Sequence, residues 1–295
     1  MLGLDKVVVF WSNRSEIGLL MPVIHELERH KIDTDLHRLP ESTLSAAFGS
    51  AMKKIKNDKP KYAICPFDRM QVMMAACACY HSDVPFAQMH AGEISSGTYD
   101  DADRHVITLW ADMIFTAHDV FTRRARNLRK TAGLSTKRIH TVGITHLDEK
   151  QIDESELPDR PYNLVLYNPP TLLSKKEIRA ELDEVHNLAT REGKSVVWIG
   201  PNGDPSSEII DRRLRSHSKS IKYVPKGYPR AKFLGLMKNA DLAIGNSSSF
   251  VYEAPLLNTP VKMIGERNRT REHLNFKTGA STKIAKLIKS RLESI

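Results

Sequence analysis

In the first half of the chain, short apolar runs alternate with longer segments that carry apolar residues at helical spacing. The run KVVVFW is rich in β-branched residues and predicts a strand, and GLLMPVIHELERH, after the polar turn SNRSE, has helical periodicity. The last helix of this half closes at Gly133, which suits a left-handed cap. The further predicted strands are TDLHRL, YAICPF, PFAQMHAG, MIFTAH and RIHTVG, and the further helices AAFGSAMKKIKN, QVMMAACACYHSD, DADRHVITLWAD and FTRRARNLRKTAG.

The alternation restarts after the polar, proline-containing segment DEKQIDESELPDRP. Strands that alternate with helices predict βαβ units and parallel sheets, here formed twice. We therefore predict an α/β protein with two Rossmann-like domains facing a cleft, residues 1–150 and 151–295. Ligands of parallel sheets bind beyond the carboxyl ends of the strands, so the chemistry is sought in those loops. The second half predicts strands NLVLYN, SVVWIG, IKYVP, DLAIGN and VKMIG, and helices KKEIRAELDEVHNLATREG, SEIIDRRLRSHS, RAKFLGLMKNA, SSFVYEAPLLN and TKIAKLIKSRLES.

Composition narrows the class of protein. The 295 residues are 41% hydrophobic, and no stretch approaches the ~20 apolar residues of a membrane span, so we expect a cytoplasmic protein. The net charge of +9 favours anionic partners such as nucleotides or nucleic acid. The densest basic cluster, Arg123–Lys130, is either a solvated helix face or a nucleic-acid patch. The three cysteines have neither disulfide-framework nor zinc spacing and are expected to be buried free thiols.

The stretch AIGNSSSFVYEAP places small polar residues between a predicted strand and a predicted helix. Gly245 permits a tight turn, and the following residues offer hydroxyl and amide groups at a helix N-terminus, where anions bind. One serine acting as an N-cap is the simpler alternative. Glu253 in the next helix is positioned to accept ribose hydroxyls, as acidic residues do in dinucleotide folds. The predicted phosphate turn consists of Gly245, Asn246, Ser247, Ser248 and Ser249.

Four motifs together resemble the UDP-N-acetylglucosamine 2-epimerase family. GNSSS with YEAP and TPVKMIGERNRTRE resembles its nucleotide-binding signature, and HAGEISSGTYDDADRHVIT resembles its HGGE..GAIDDS.RH.IT segment. SNRSEIGLLMPVI and VGITHLD match its first turn and the last strand of its first domain. The hydrolysing branch, which forms N-acetylmannosamine, is the closer match. The resemblance implies a glycosyltransferase-B fold, with UDP on the second domain and the sugar facing the first.

The resemblance also implies a reaction. UDP is eliminated across C1 and C2 of the sugar, and water or UDP adds back with inverted configuration at C2, without a metal or a redox cofactor. A homodimer is expected. Such chemistry needs a base and an acid, which carboxylates with separated pKa values can supply. The family motifs match Asp68, Glu93 and Asp100, which we take as the acid/base set. A helix N-cap at Asp68 and an acidic helix start at Asp100 are the structural alternatives.

Further residues match positions that bind the substrate. Arg14 would reach the diphosphate, because a guanidinium donates in a planar fork suited to phosphate. Asn202, in the segment PNGD, resembles a family turn, and a plain turn is the alternative. The other candidates for substrate or UDP contact are His90, Arg104, His105, Asn168 and Arg267.

Three departures from the family keep other functions open. Asn168 stands where the family has a histidine, and asparagine cannot shuttle a proton. Phe250 replaces a glycine, where an aromatic ring would narrow the phosphate site or contact a different sugar. The chain is also shortened between Arg14 and Asp68. A glycosyltransferase that uses a UDP-sugar, with a glycan or nucleic-acid acceptor, and a non-catalytic nucleotide-sugar binding protein are therefore the alternatives.

Overall fold

The computed structural model describes residues 6–95, 100–149, 152–159, 161–201, 206–215, 221–224, 227–271 and 274–295. The chain forms two compact units. The first unit comprises Met1–Glu93, Asp100–Glu149 and Leu274–Ile295, and the second comprises Ile94–Tyr99 and Lys150–His273. Each unit is an α/β layer structure around one parallel sheet, as the alternating pattern predicts.

The first unit contains a six-stranded parallel sheet in the order β2-β1-β3-β4-β5-β6. Its strands are β1 (Lys6–Trp11), β2 (Asp33–Arg38), β3 (Tyr62–Ile64), β4 (Phe86–Gln88), β5 (Met113–Thr116) and β6 (Ile139–Thr141). Its helices are α1 (Arg14–Arg29), α2 (Leu44–Asp58), α3 (Met70–His81), α4 (Asp100–Trp110), α5 (Asp119–Thr131) and α10 (Ala280–Leu292). The strand order reverses between β1 and β3, which is where ligands bind in open α/β sheets.

The second unit contains a five-stranded parallel sheet in the order β11-β10-β7-β8-β9. Its strands are β7 (Tyr162–Leu166), β8 (Ser195–Ile199), β9 (Ile221–Val224), β10 (Leu242–Gly245) and β11 (Val261–Met263). Its helices are α6 (Lys175–Thr190), α7 (Ser207–Arg215), α8 (Arg230–Asn239) and α9 (Ser249–Tyr252), with 3-10 turns at Arg191–Gly193 and Pro255–Leu257. Here the order reverses between β7 and β10, which places the serine turn at the switch point.

Buried positions on β1 explain the layers of the first unit. Val7 and Val9 pack in one apolar cluster with α1 and α10, whereas Val8 and Phe10 pack in another with α2 and α3. Successive side chains of a strand point to opposite faces of the sheet, so a continuous apolar run is what a sheet covered on both sides requires.

The position of the terminal helix contradicts the predicted domain boundary, which assigned all residues from 151 to 295 to the second domain. Helix α10 belongs to the first unit, where Ile284 and Ile288 join the core cluster of α1 and β1. Asp148 fixes its beginning, because the carboxylate accepts from the amide of Ser281 at 2.8 Å and from its hydroxyl at 2.7 Å. Residues 94 and 95 likewise belong with the second unit. The first unit is therefore built from three separate stretches of chain.

The predicted helix SSFVYEAPLLN is interrupted. Helix α9 ends at Tyr252, and a 3-10 turn then runs from Pro255 to Leu257 and stops at Asn258 in the left-handed region. Proline has no amide hydrogen to continue the helical ladder, which explains the break. Among the described residues, no helix combines the length and apolar character needed to cross a membrane. The three cysteines are free thiols, and the predicted burial holds for Cys65 and Cys79 but not for Cys77, which is partly exposed.

Candidate functional site

The loop after β4 carries a buried, hydrogen-bonded pair of polar side chains. His90 is 8% exposed and Glu93 is 2% exposed, and Nδ1 of His90 lies 2.7 Å from Oε1 of Glu93. The tight geometry of this loop depends on Gly92, which has a φ of +75°. A Cβ atom there would lie 2.2 Å from the main-chain oxygen of Phe121, so no larger residue fits. The loop thus presents a buried imidazole–carboxylate pair beyond the strand end.

His146 extends this pair and was not among the predicted site residues. It follows β6, is 3% exposed, and places its ring edge-on to that of His90 with the ring centroids 5.4 Å apart. Phe67 lies on His90 as well, at 5.2 Å between ring centroids. An ionised Glu93 holds the proton of His90 on Nδ1, because a carboxylate accepts hydrogen bonds only. Such an arrangement can pass a proton between a buried carboxylate and an imidazole.

Arg104 organises the carboxylates around this loop. Arg104 is 2% exposed. Its guanidinium donates to the Asp68 carboxylate, to the Asp101 carboxylate at 2.7 Å, and to the main-chain oxygen of Glu93 at 2.9 Å. Arg104 was a candidate for contact with the substrate. In the structure it pairs with the carboxylates of Asp68 and Asp101, and it connects two loops with the start of α4. Its contact with a substrate stays a prediction. Asp68 itself is partly exposed at the end of the loop that follows β3.

Acidic residues cluster in the first turn of α4. Asp100 begins this helix, and Asp103 lies three residues later in the same turn. Burial, together with the neighbouring Asp100 carboxylate, raises the pKa of Asp103 to about 6. A carboxyl group with a pKa near neutrality can act as a general acid as well as a base. Asp103 was not among the predicted site residues. His105 follows in the same helix, where burial and the nearby Arg104 and Arg124 lower its pKa.

The turn between β1 and α1 is fixed by Glu16. Its carboxylate accepts from the amides of Ser12 at 2.6 Å and Asn13 at 3.1 Å, and burial raises its pKa. These contacts explain why α1 begins at Arg14, four residues before the apolar segment that predicted it. Arg14 therefore stands at the first position of a helix that follows a strand end, while its side chain lies outside the described part of the chain.

The serine turn of the second unit is built around Asn246. Its side-chain oxygen accepts from the amide of Asn168 at 2.7 Å, and its side-chain nitrogen donates to the Asn168 carbonyl at 2.7 Å. The carbonyl of Asn246 accepts from the side chain of Asn268 at 2.8 Å. Gly245 has a φ of +143°, and a Cβ there would lie 2.1 Å from the Leu166 oxygen. The loops after β7, β10 and β11 are thereby locked together at the switch point.

The three serines take different positions. Ser247 is buried and accepts from the amide of Ser249 at 3.2 Å, whereas Ser248 is exposed. Phe250 is 2% exposed and lies in the core cluster with Leu164. The expectation that its ring narrows the phosphate site or contacts a sugar is therefore wrong, because the ring points into the apolar layer under the sheet.

Glu253 is buried behind this turn. One carboxylate oxygen accepts from Arg230 at 2.8 Å, and among the described residues the other oxygen has no hydrogen-bond partner. Burial raises its pKa, and the Arg230 guanidinium opposes that shift. A buried carboxylate with one such oxygen suits a hydroxyl donor, and the predicted contact of Glu253 with ribose hydroxyls stays a prediction. Arg267 lies half-buried in the turns after β11, and Asn202 falls outside the described residues.

The basic cluster of α5 is not a continuous surface. Arg129 is buried and donates to the carbonyls of Thr108, Leu109, Ala111 and Ser135 at 2.7–3.2 Å. It thus satisfies the last carbonyls of α4, where a cation is favourable. Arg124 donates to the Gly92 carbonyl at 2.7 Å. Two of the basic side chains that suggested a nucleic-acid patch are therefore used inside the first unit.

Two parallel-sheet units, with carboxylates and imidazoles beyond the strands of one and a serine turn at the switch point of the other, define a Rossmann-like α/β protein of the nucleotide-binding class. The sequence pattern of one family covers nearly the whole chain, residues 11–294. The chain belongs to the UDP-N-acetylglucosamine 2-epimerase family, and it is an enzyme of that isomerase and hydrolase group.

Individual relatives agree. The chain is 28% identical to the hydrolysing GDP/UDP-N,N'-diacetylbacillosamine 2-epimerase of Campylobacter jejuni, over 90% of this chain and 82% of that protein. It is 25% identical to the hydrolysing UDP-N,N'-diacetylbacillosamine 2-epimerase of Legionella pneumophila, over 82% and 67%. Its fold matches the crystal structure of the Methanocaldococcus jannaschii UDP-GlcNAc 2-epimerase in complex with UDP-GlcNAc and UDP, with a TM-score of 0.76, 18% identity, and coverage of 97% and 99%. The predicted family and glycosyltransferase-B fold class are confirmed.

Proposed function

We propose that this enzyme hydrolyses a UDP-linked 2-acetamido sugar and inverts the configuration at C2. The observation that carries the proposal is the buried His90–Glu93 pair at the end of β4, with His146 against it. Supporting it, the C. jejuni and L. pneumophila relatives are named as hydrolysing 2-epimerases. UDP-N-acetylglucosamine is the first substrate to test, and UDP-N,N'-diacetylbacillosamine is the second.

The proposed reaction has two steps. A base removes the C2 proton, its electron pair forms the C1–C2 double bond, and the C1–O bond to UDP breaks. Water then adds its hydroxyl to C1, and a proton is delivered to C2 from the opposite face. The products are UDP and the free sugar, epimeric at C2. The first unit would supply the acid and base, with Asp68, Glu93 and Asp100 as the catalytic candidates.

In this proposal the second unit binds the nucleotide. The serine turn, Asn246 to Ser249, and the unused oxygen of Glu253 support it, because amides and hydroxyls suit phosphate while a carboxylate suits ribose. Asn168 holds the serine turn through its main-chain amide and carbonyl, which both bond the side chain of Asn246. Its role in this proposal is therefore structural, whereas the family histidine at this position can transfer a proton. We propose that the proton transfer of the family histidine is performed in this chain by the imidazoles of the first unit, His90 and His146, together with the carboxylate candidates.

The test is proton NMR of the protein with UDP-N-acetylglucosamine in deuterated water. We expect release of UDP and of N-acetylmannosamine with deuterium at C2. Glu93→Gln keeps the shape and a hydrogen bond to His90 but loses the charge, so we expect turnover to fall at least ~100-fold while UDP still binds. Glu28→Gln, an exposed change in α1, is the matched control. Release of UDP without deuterium at C2 would overturn the proposed chemistry, and no release from either substrate would overturn the proposed function.

Two further expectations stay predictions. A homodimer is tested by light scattering coupled to size-exclusion chromatography, and a cytoplasmic location by cell fractionation. Nucleic acid is not part of the proposal, since Arg124 and Arg129 serve main-chain carbonyls within the first unit.

A further inference from the structure

The turns after β11 hold three other pieces of the second unit. Asn268 donates to the carbonyl of Asn246 in the serine turn at 2.8 Å. Thr270 donates from its hydroxyl to the carbonyl of Ile94 at 2.6 Å. Arg271 donates to the Ser95 hydroxyl and, at 3.3 Å, to the Tyr252 hydroxyl in α9. We refer to Asn268, Thr270 and Arg271 as the clasp.

Two of the three clasp residues are buried. Asn268 is 1% exposed and Arg271 is 5% exposed, and the Arg271 guanidinium also lies over the ring of Tyr252, 5.9 Å from its centroid. A buried guanidinium that donates to two separate segments fixes their relative position, because its planar fork leaves little freedom. Thr270 is exposed, but its hydrogen bond is short and directed at a main-chain carbonyl.

The segment that the clasp holds begins directly after Glu93. Ile94 and Ser95 follow this glutamate in the chain, and the chain passes from the first unit to the second between Glu93 and Ile94. On its other side Glu93 is held by His90 and Arg104. The main chain of Glu93 is therefore fixed upstream by its own unit and downstream by the clasp.

We propose that the clasp positions Glu93 for catalysis and links its loop to the nucleotide site, an inference that rests on the function proposed above. Asn268 contacts the serine turn, Arg271 contacts the helix that follows it, and Thr270 with Arg271 contacts the two residues after Glu93. A nucleotide that orders the serine turn thus orders the Glu93 loop through the same short segment. Thr270 and Arg271 are positioning residues, since they contact protein groups.

Positioning of this kind changes turnover more than binding. A displacement of about 1 Å in a catalytic group lowers the rate about 100-fold, whereas the nucleotide contacts are untouched. We therefore expect a fall in kcat without a matching rise in the dissociation constant for UDP. The exposed Thr270 is the cleaner position to alter, because Arg271 is buried and its loss can destabilise the second unit.

The experiment compares Thr270→Val with Thr270→Ser. Valine keeps the shape and removes the donor, and serine keeps the hydroxyl. We expect kcat to fall at least 10-fold in Thr270→Val, UDP affinity by calorimetry to change less than twofold, and Thr270→Ser to restore most of the rate. A kcat of Thr270→Val within twofold of wild type, or equal losses in both variants, would overturn the positioning role.

A second readout does not depend on turnover. Hydrogen exchange of the peptide that covers residues 86–95 is measured with and without UDP. We expect UDP to slow exchange in wild type and Thr270→Ser, and to have at most half that effect in Thr270→Val. Equal protection in all three proteins would overturn the link to the nucleotide site. A wild-type protein that shows the protection but releases no UDP from a UDP-sugar would instead count against the proposed function alone.

Discussion

Asp103 makes the stability of the first unit depend on pH in a direction that is unusual for an aspartate. Burial and the neighbouring Asp100 carboxylate raise its pKa from 3.8 to about 6. Below about pH 4 the carboxyl is protonated in both the folded and the unfolded chain, so its burial does not lower the free energy of unfolding. Between about pH 4 and 6 the unfolded chain loses the proton first, and the free energy of unfolding falls. Above pH 6 the full penalty applies.

The size of the penalty follows from the shift. About two pKa units correspond to about 3 kcal/mol, and because the carboxyl is only partly buried, we expect about 1–2 kcal/mol after screening by water. Asp103→Asn removes the charge and keeps the shape. We therefore expect its thermal midpoint to lie about 2–8 °C above wild type at pH 7.5 and to coincide with it at pH 4.

The assay is thermal unfolding followed by circular dichroism at four pH values from 4 to 7.5. Asp119→Asn is the matched control, because Asp119 also lies in the first turn of a helix but a hydrogen bond from Thr141 lowers its pKa. That variant should lose stability at pH 7.5 and approach wild type at acid pH. A stabilisation by Asp103→Asn that is the same at every pH would refute the reasoning, and so would a shift of the same sign in both variants.

Gly245→Ala should lower the free energy of unfolding by more than ~2 kcal/mol in urea titrations, because its Cβ would meet a main-chain oxygen of β7, whereas Gly279→Ala has open space and should lose less. Arg129→Leu should cost about 2–4 kcal/mol by the same assay, since it leaves buried carbonyls without their donor. Ser248→Ala combined with Glu253→Ala should weaken UDP binding at least 10-fold in calorimetry, and unchanged affinity would refute the nucleotide site.

Local patterns predicted the secondary structure well, and the exceptions have local causes. Every predicted strand and helix is present in the described residues, with ends that move by a few positions. Helix α1 begins early because Glu16 fixes the preceding turn, and the helix after the serine turn breaks at Pro255. The partner of α10 could not be predicted, because helical periodicity shows which face is buried but not which sheet covers it.

The residues of the candidate site could be predicted only where they match a recognisable motif. Glu93 and the serine turn match motif positions. His146 and Asp103 also lie within quoted segments, but what makes them candidates is a neighbour distant in the chain for His146 and burial beside Asp100 for Asp103. His146 lay within the quoted segment VGITHLD, yet nothing in that segment shows that its ring meets His90. The internal use of Arg104, Arg124 and Arg129 was also invisible, since a charge count cannot distinguish an exposed guanidinium from one that caps a helix.

The return of α10 to the first unit sets an order for folding during synthesis. Ile284, Ile288 and Leu292 close one face of the sheet that contains β1, and they are translated after every described strand of the second unit. While α10 is still inside the ribosome, that face of the sheet is open, whereas the strands of the second unit emerge before α10 does. The second unit can therefore fold first, and the emergence of α10 is the event that completes the first unit. A stop codon before Ala280 would leave one apolar face of the first unit's sheet exposed, and such a protein would bind chaperones.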